Sequence, residues 1–191
     1  MMFAFGFLYF MITAIMSNFV TRFLDVGLPM ETILNGLTVA AIVSIPLSYF
    51  WGWLDDKIGT PRTCGIFSLF YSILAVFLLL ANSDRMIYVY ASMVFVAFII
   101  AGTANLHPSI VAYVYGRKEF INANRYLGVV HLTFRNISFY FMAYVYVTFG
   151  SYDSAYVLFI VMGLLAALGF LKLKKSYDPE RLELQKKGLV K

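Results

Sequence analysis

The sequence predicts an all-α membrane protein with six transmembrane helices, and three observations carry that prediction. Of the 191 residues, 61% are hydrophobic and 13% are charged, about half the charge usual in a soluble domain. The charges are clustered between long apolar runs, as in a chain that crosses a membrane repeatedly. The basic residues among them fall mainly on alternate connections. The net charge of +5 therefore describes a topology in the lipid bilayer, and nucleic acid is not an expected partner. A single cysteine, Cys64, excludes an intrachain disulfide and a cysteine-built zinc site. No cofactor, metal or catalytic residue is expected.

Span one covers about 3–20 and carries Tyr9, Thr13, Ser17 and Asn18. Thr13 and Ser17 are four apart and share a face, either as a cavity stripe or as packing residues. Arg22, Asp25, Pro29 and Glu31 follow as a mixed-charge loop. Span two covers about 32–53, with Asn35 and Thr38 one turn apart and Pro46 as a kink. Trp51 and Trp53 are expected in an interfacial aromatic belt. Span three, about 63–81, is nearly uniformly apolar and is expected to face lipid over much of its surface. Span four, about 86–115, is longer than a bilayer needs and is interrupted by Gly102, Thr103, Asn105, His107 and Pro108. Span five, about 126–149, repeats Gly128, His131, Arg135, Ser138 and Met142 at three- and four-residue steps, one helical stripe. Span six, about 154–171, is again apolar. The bundle is bounded at 1–175, and 176–191 form a tail.

Twelve basic residues lie in the 57–62 and 116–125 connections and the tail, against two, Arg22 and Arg85, on the other side. The positive-inside rule places the tail, and with six spans both termini, in the cytoplasm, with the plasma (cell inner) membrane as the expected location. No signal peptide is expected at Met1-Met2-Phe3. Spans one to three and four to six each read as two polar-marked helices and then an apolar one, a three-plus-three inverted repeat.

Arg135 stands about nine residues into span five, roughly 14 Å from its start and near the centre of the hydrocarbon. Placing a guanidinium there costs about 2.5–3.5 kcal/mol. No Asp or Glu lies inside any span. Arg135 therefore meets either an anionic substrate, through two parallel hydrogen bonds, or an acid from another half of the protein. His131, one turn away, would help hold the anion or carry a proton. Ser138, Asn35, Thr38 and Asn105 complete the candidate substrate-binding set.

The remaining signal is Gly52-Trp53-Leu54-Asp55-Asp56-Lys57-Ile58-Gly59-Thr60-Pro61-Arg62. Gly52 removes a side chain where backbones can approach, and Gly59 permits a sharp turn. Pro61 opens the next helix, and Arg62 keeps the loop positive. Gly-x-x-x-Asp-Lys-x-Gly followed by Arg resembles the signature loop of the major facilitator superfamily, where it follows the second helix of each six-helix half. Gly52, Asp56, Lys57, Gly59 and Arg62 are the gating-loop residues this resemblance implies. It further implies that Asp56 docks near the cytoplasmic start of span five, helping to latch an inner gate closed.

Gly116-Arg117-Lys118, the basic residue in span five and Gly150-Ser151-Tyr152 look like the oxalate/formate antiporter and monocarboxylate transporter branch. The chain would be the C-terminal half, a secondary transporter, antiporter or symporter, for a small organic anion. Arg135 would then contact the substrate carboxylate. Span two lacks the arginine of oxalate-type members, which points to a monocarboxylate or an unrelated anion. One half supplies one wall of the site, so an N-terminal six-helix half, in the same chain or a separate subunit, or a second copy is the expected partner. The missing charged leader before span one favours a fragment. A membrane enzyme finds no Gly-x-Ser-x-Gly or His-Glu-x-x-His here. A channel or split subunit without carrier activity is the alternative.

Overall fold

The computed structural model describes residues 2–116 and 118–173. Arg117 and the tail at 176–191 lie outside the described residues. Six helices follow in order: α1 Met2–Asp25, α2 Met30–Ile58, α3 Thr60–Leu80, α4 Met86–Tyr115, α5 Phe120–Phe149 and α6 Asp153–Leu171. Five are long and apolar enough to cross a membrane. The other, α5, is made polar by Asn122, Asn124, Arg125, His131 and Arg135. Its 30 residues nevertheless reach about 45 Å, ample for a bilayer.

The helices overrun the expected spans at charged ends. Arg22 and Asp25 ride on the last turn of α1, Glu31 on the first turn of α2, and Asn122, Asn124 and Arg125 on α5. Polar residues end an apolar run without ending a helix, because the backbone bonds continue into the interface. Pro46 and Pro108 sit inside α2 and α4, each an unbroken helix. Arg22 explains one overrun. Its Nη2 donates to the carbonyls of Leu78 and Ala81 at 3.1 and 3.0 Å and lies 3.6 Å from Asp153 Oδ1. One guanidinium thus ties α1 to the end of α3 and the start of α6.

The main pairs are α3 with α6, α2 with α4, α1 with α5, α3 with α4, and α1 with α6. Exchanging α1 with α4, α2 with α5 and α3 with α6 maps this pattern onto itself. That is the arrangement an inverted three-plus-three repeat produces. The pair α3–α6 maps onto itself and so lies on the pseudo-twofold axis.

Two expectations about exposure are corrected. Helix α3 is largely covered by α4 and α6, and only a narrow edge of Ile66, Leu69 and Ile73 is open. Its small residues explain this, since Gly65, Ser68 and Ser72 let α6 approach closely. Trp51 is fully buried, not interfacial: Nε1 donates to the Phe98 carbonyl at 2.9 Å and the ring packs edge-on against Phe67 and Phe70. Only Trp53 is exposed, with Lys57 Nζ 4.7 Å above its ring.

A Cβ added at Gly163 would sit 2.2 Å from Ser72 Oγ and 3.1 Å from the Ser68 carbonyl oxygen. Gly163→Val is expected to lower stability by about 1–3 kcal/mol through overpacking. Gly128→Ala, where nothing lies within 4 Å, is expected to change it little. Thermal unfolding of the detergent-purified variants checks both.

Candidate functional site

Among the described residues, two open cavities hold sequence-predicted site residues. The first, of about 560 Å³, lies between α1, α4 and α5 and is lined by Tyr9, Ile12, Thr13, Met16, Ser17, Thr103, Arg135 and Phe139. Thr13 and Ser17 therefore form a cavity stripe. Arg135 is the sixteenth of the 30 residues of α5, at the middle of the helix. Among the described residues it forms no ion pair, and no Asp or Glu lines its cavity.

The expected stripe on α5 divides in two. His131, Ser138 and Met142 are buried, whereas Arg135 is exposed at the cavity wall. At 100° per residue, Arg135 stands about 40° from His131 on one side and Ser138 about 20° on the other. That difference separates packed residues from cavity residues. Ser138 Oγ donates to the Arg135 carbonyl at 2.6 Å, so its hydroxyl is satisfied within its own helix, outside the cavity.

Beside the cavity stands a cluster that sequence reasoning did not assemble. Tyr9 stacks on His131 at 4.3 Å between ring centroids, and His107 meets His131 edge-on at 4.9 Å. Tyr9 Oη and His107 Nδ1 are 3.2 Å apart, and His107 Nε2 is 3.0 Å from Asn124 Oδ1. Phe5 closes the cluster against both imidazoles. His131 Nε2 is buried with no hydrogen-bond partner among the described residues. In the sequence, His107 is one of several interruptions of span four and Tyr9 one of several polar residues of span one. Their positions near opposite ends of α1 and α4 bring them together once those helices alternate in direction.

The second cavity, of about 540 Å³, lies between α2 and α4 and is lined by Ser48, Tyr49, Gly52, Asp55, Asp56, Asn105 and Ser109 among others. Asn105 Nδ2 donates to Ser48, to its carbonyl and to Oγ, the latter at 2.7 Å. Asn105 thus belongs to a different cavity from Arg135. Asn35 and Thr38 are exposed on α2, line neither cavity, and Thr38 Oγ1 donates to the Leu34 carbonyl at 2.9 Å.

The signature residues are not a loop. Helix α2 runs through Asp55, Asp56 and Lys57 to Ile58, and Gly59 alone joins it to α3. Gly59 has φ +87°, a left-handed value that favours glycine, and its N–H donates to the Asp55 carbonyl at 2.9 Å. Pro61 lies in the first turn of α3, as expected. Gly52 is not a point of close approach, since a Cβ there would meet nothing within 4 Å. It borders the second cavity instead. Asp56, Lys57 and Arg62 are exposed. Neighbouring Asp55 carries a buried Oδ1 with no partner among the described residues. Its burial was hidden because Asp55 and Asp56 are adjacent and only three-dimensional packing separates them.

A six-helix apolar bundle with paired repeats, cavities on one face and a charged α2–α3 junction defines a membrane-transporter architecture. A family model for the Major Facilitator Superfamily matches residues 1–190, and the chain belongs to that superfamily. No curated protein and no solved structure matched the chain.

Cys64 is 1% exposed, so the wild-type chain offers a quiet background for thiol labelling. Arg135→Cys is expected to react with a hydrophilic methanethiosulfonate reagent at least about tenfold faster than Ser138→Cys, following thiol access. Equal rates would remove the division of the α5 stripe.

Proposed function

We propose that the chain is the C-terminal half of a secondary active transporter that moves a small organic anion, such as a monocarboxylate, by alternating access. Membership of the superfamily makes it a membrane transporter in general. Arg135 carries the finer reading. It is a fixed cation at mid-helix, lining a cavity without a carboxylate. A guanidinium in such surroundings binds a carboxylate through a charge-assisted pair of hydrogen bonds. Thr13, Ser17 and Thr103 offer hydroxyls around the same space, and His131 stands one turn below.

The cavity has one wall. Helices α2 and α5 leave large apolar side chains open, among them Ile42, Ile45, Tyr49, Tyr126, Tyr140 and Val147. A second six-helix half rocking against this face would close the site and give each side access in turn. In this reading Asn35 and Thr38 face that half across the interface. Asp56, exposed on the last turn of α2, would latch to the cytoplasmic start of α5 as the halves rock, where the helix dipole attracts a carboxylate. The basic connections and tail favour cytoplasmic termini in the plasma membrane. The same open face would equally accept a second copy of the chain, which favours a split or homodimeric subunit as the alternative. A channel lacking carrier activity would show conductance that does not saturate.

Counterflow in proteoliposomes tests the proposal. Labelled lactate is expected to exchange against unlabelled lactate with saturation. Arg135→Gln is expected to weaken anion binding at least about tenfold, the worth of roughly 1.5–3 kcal/mol in a charge-assisted bond, without loss of membrane insertion. Undiminished uptake by that variant would remove the substrate role. Asp56→Asn is expected to shift the balance between inward- and outward-open states, measured by cysteine accessibility from each side. An unchanged balance would remove the latch.

A further inference from the structure

We propose that the cavity between α2 and α4 is a binding site for one alkali-metal cation, held by the carboxylate of Asp55 and the hydroxyl of Ser109. The site stands independently of the anion reading of Arg135, which lines the other cavity.

An enclosed negative charge gives the first argument. Among the described residues, Asp55 Oδ1 is buried without a hydrogen-bond partner and Asp55 forms no ion pair. A carboxylate oxygen enclosed in this way is strongly unfavourable. Its place in the helix adds to the cost. Asp55 lies in the last turn of α2, which ends at Ile58, where the helix dipole is negative and favours cations. Asp56 beside it adds a second negative charge. The nearest base in sequence, Lys57, is engaged elsewhere, with Nζ 4.7 Å over the Trp53 ring. No Lys, Arg or His lines the cavity among the described residues. A metal cation here would cancel the enclosed charge.

The other walls supply neutral oxygen. Asn105 and Ser109 line the cavity from α4, and Ser48 lines it from α2. The Asn105 amide donates through Nδ2 to Ser48, to the carbonyl and to Oγ, which leaves its own oxygen without a donor among the described residues. Helices α2 and α4 are two apart in an alternating bundle and so run the same way. With Asn105 at Ser48, Ser109 stands about one turn further on, at the level of Gly52. Asp55 follows within a turn on the same face of α2. Gly52 adds no side chain to the space these residues border, and a Cβ there would meet nothing within 4 Å. Carboxylate, hydroxyl and amide oxygens are the donors that hard cations take.

The charge count selects the class of ion. Asp56 is exposed, so Asp55 carries the one enclosed carboxylate oxygen of this cavity. A singly charged ion cancels one carboxylate, whereas a divalent ion would leave a net positive charge in its place. The described residues assemble no group of three or more His, Cys, Asp or Glu, the kind of set on which most zinc and calcium sites are built. The bound ion would tie α2 to α4 at the end where Gly59 alone joins α2 to α3.

Binding of ²²Na⁺ to the full chain in lipid nanodiscs tests the site, with choline chloride holding the ionic strength constant. One saturable sodium ion per chain is expected, displaced by lithium or potassium chloride and not by choline. Asp55→Asn keeps the shape and removes the charge, and is expected to weaken binding at least about a hundredfold; Ser109→Ala is expected to weaken it about tenfold. Gly52→Leu, which fills the open space without touching a ligand, is expected to block binding in a chain that still folds. Arg135→Gln is expected to bind sodium as the wild type does. Thermal unfolding gives a second readout: sodium is expected to raise the midpoint saturably, and Asp55→Asn to lose that response while unfolding no earlier than the wild type in choline. Absence of saturable binding in the wild type, or undiminished binding in Asp55→Asn or Gly52→Leu, would overturn the site. Sodium displaced by calcium or magnesium but not by lithium or potassium would overturn the alkali-metal assignment. Loss of binding in Arg135→Gln would overturn the independence of the two cavities.

Discussion

The close approach of α3 and α6 is the constraint on which the bundle depends. In lipid there is no hydrophobic force between helices, so association rests on packing and interhelical hydrogen bonds. Gly163 lets α6 sit against Ser68 and Ser72, and Ser72 Oγ donates to the Ile160 carbonyl at 3.0 Å across the seam. Gly65 does the same lower down against Leu171 and Ala167. Because α3 and α6 exchange with each other under the pseudo-twofold, this seam is the axis of the repeat. It leaves α2 and α5 at the far side, where their apolar faces stay open. Arg135 lies in a wall and not in a core for that reason.

Around this seam, polar groups fall into two kinds. Some fasten helices: Arg22 holds the ends of α1, α3 and α6, Tyr152 Oη donates to Asn18 Oδ1 at 3.1 Å, and Asn105 holds Ser48. Others remain unspent: Arg135 at its cavity, His131 Nε2 in its aromatic enclosure, Asp55 Oδ1 at the end of α2. Buried polar groups in a membrane protein normally find partners, because hydrocarbon offers none. Arg22 Nε, Asp55 Oδ1 and His131 Nε2 are the buried side-chain atoms left without one among the described residues.

Much of the fold could be read from residue order. Span four was bounded at the same residues as α4, and span six within one residue of α6. Both have apolar runs that end where the helix ends. Helices α1, α2 and α5 extend past the expected spans because charged residues there continue the helix. The pairing behind the inverted repeat follows from helix character, since the two apolar helices, α3 and α6, turn out to pack on each other. At the site, Arg135 was visible as the one charge inside a span. The partners of His131 were not, since Tyr9 and His107 are separated from each other by 98 positions, and no periodicity links residues on different helices.

The sequence by itself determined the membrane class, the number of helices, the basic side and the family junction. Each of these rests on composition, on local spacing or on short-range backbone chemistry. Only the tertiary structure decided which of two adjacent acids carries a buried carboxylate oxygen, which residues of the α5 stripe meet the cavity, and that Trp51 belongs to the core. A rotation of a few tens of degrees about a helix axis moves a side chain from packing to cavity. That angle is set by neighbouring helices, and a linear pattern does not contain it.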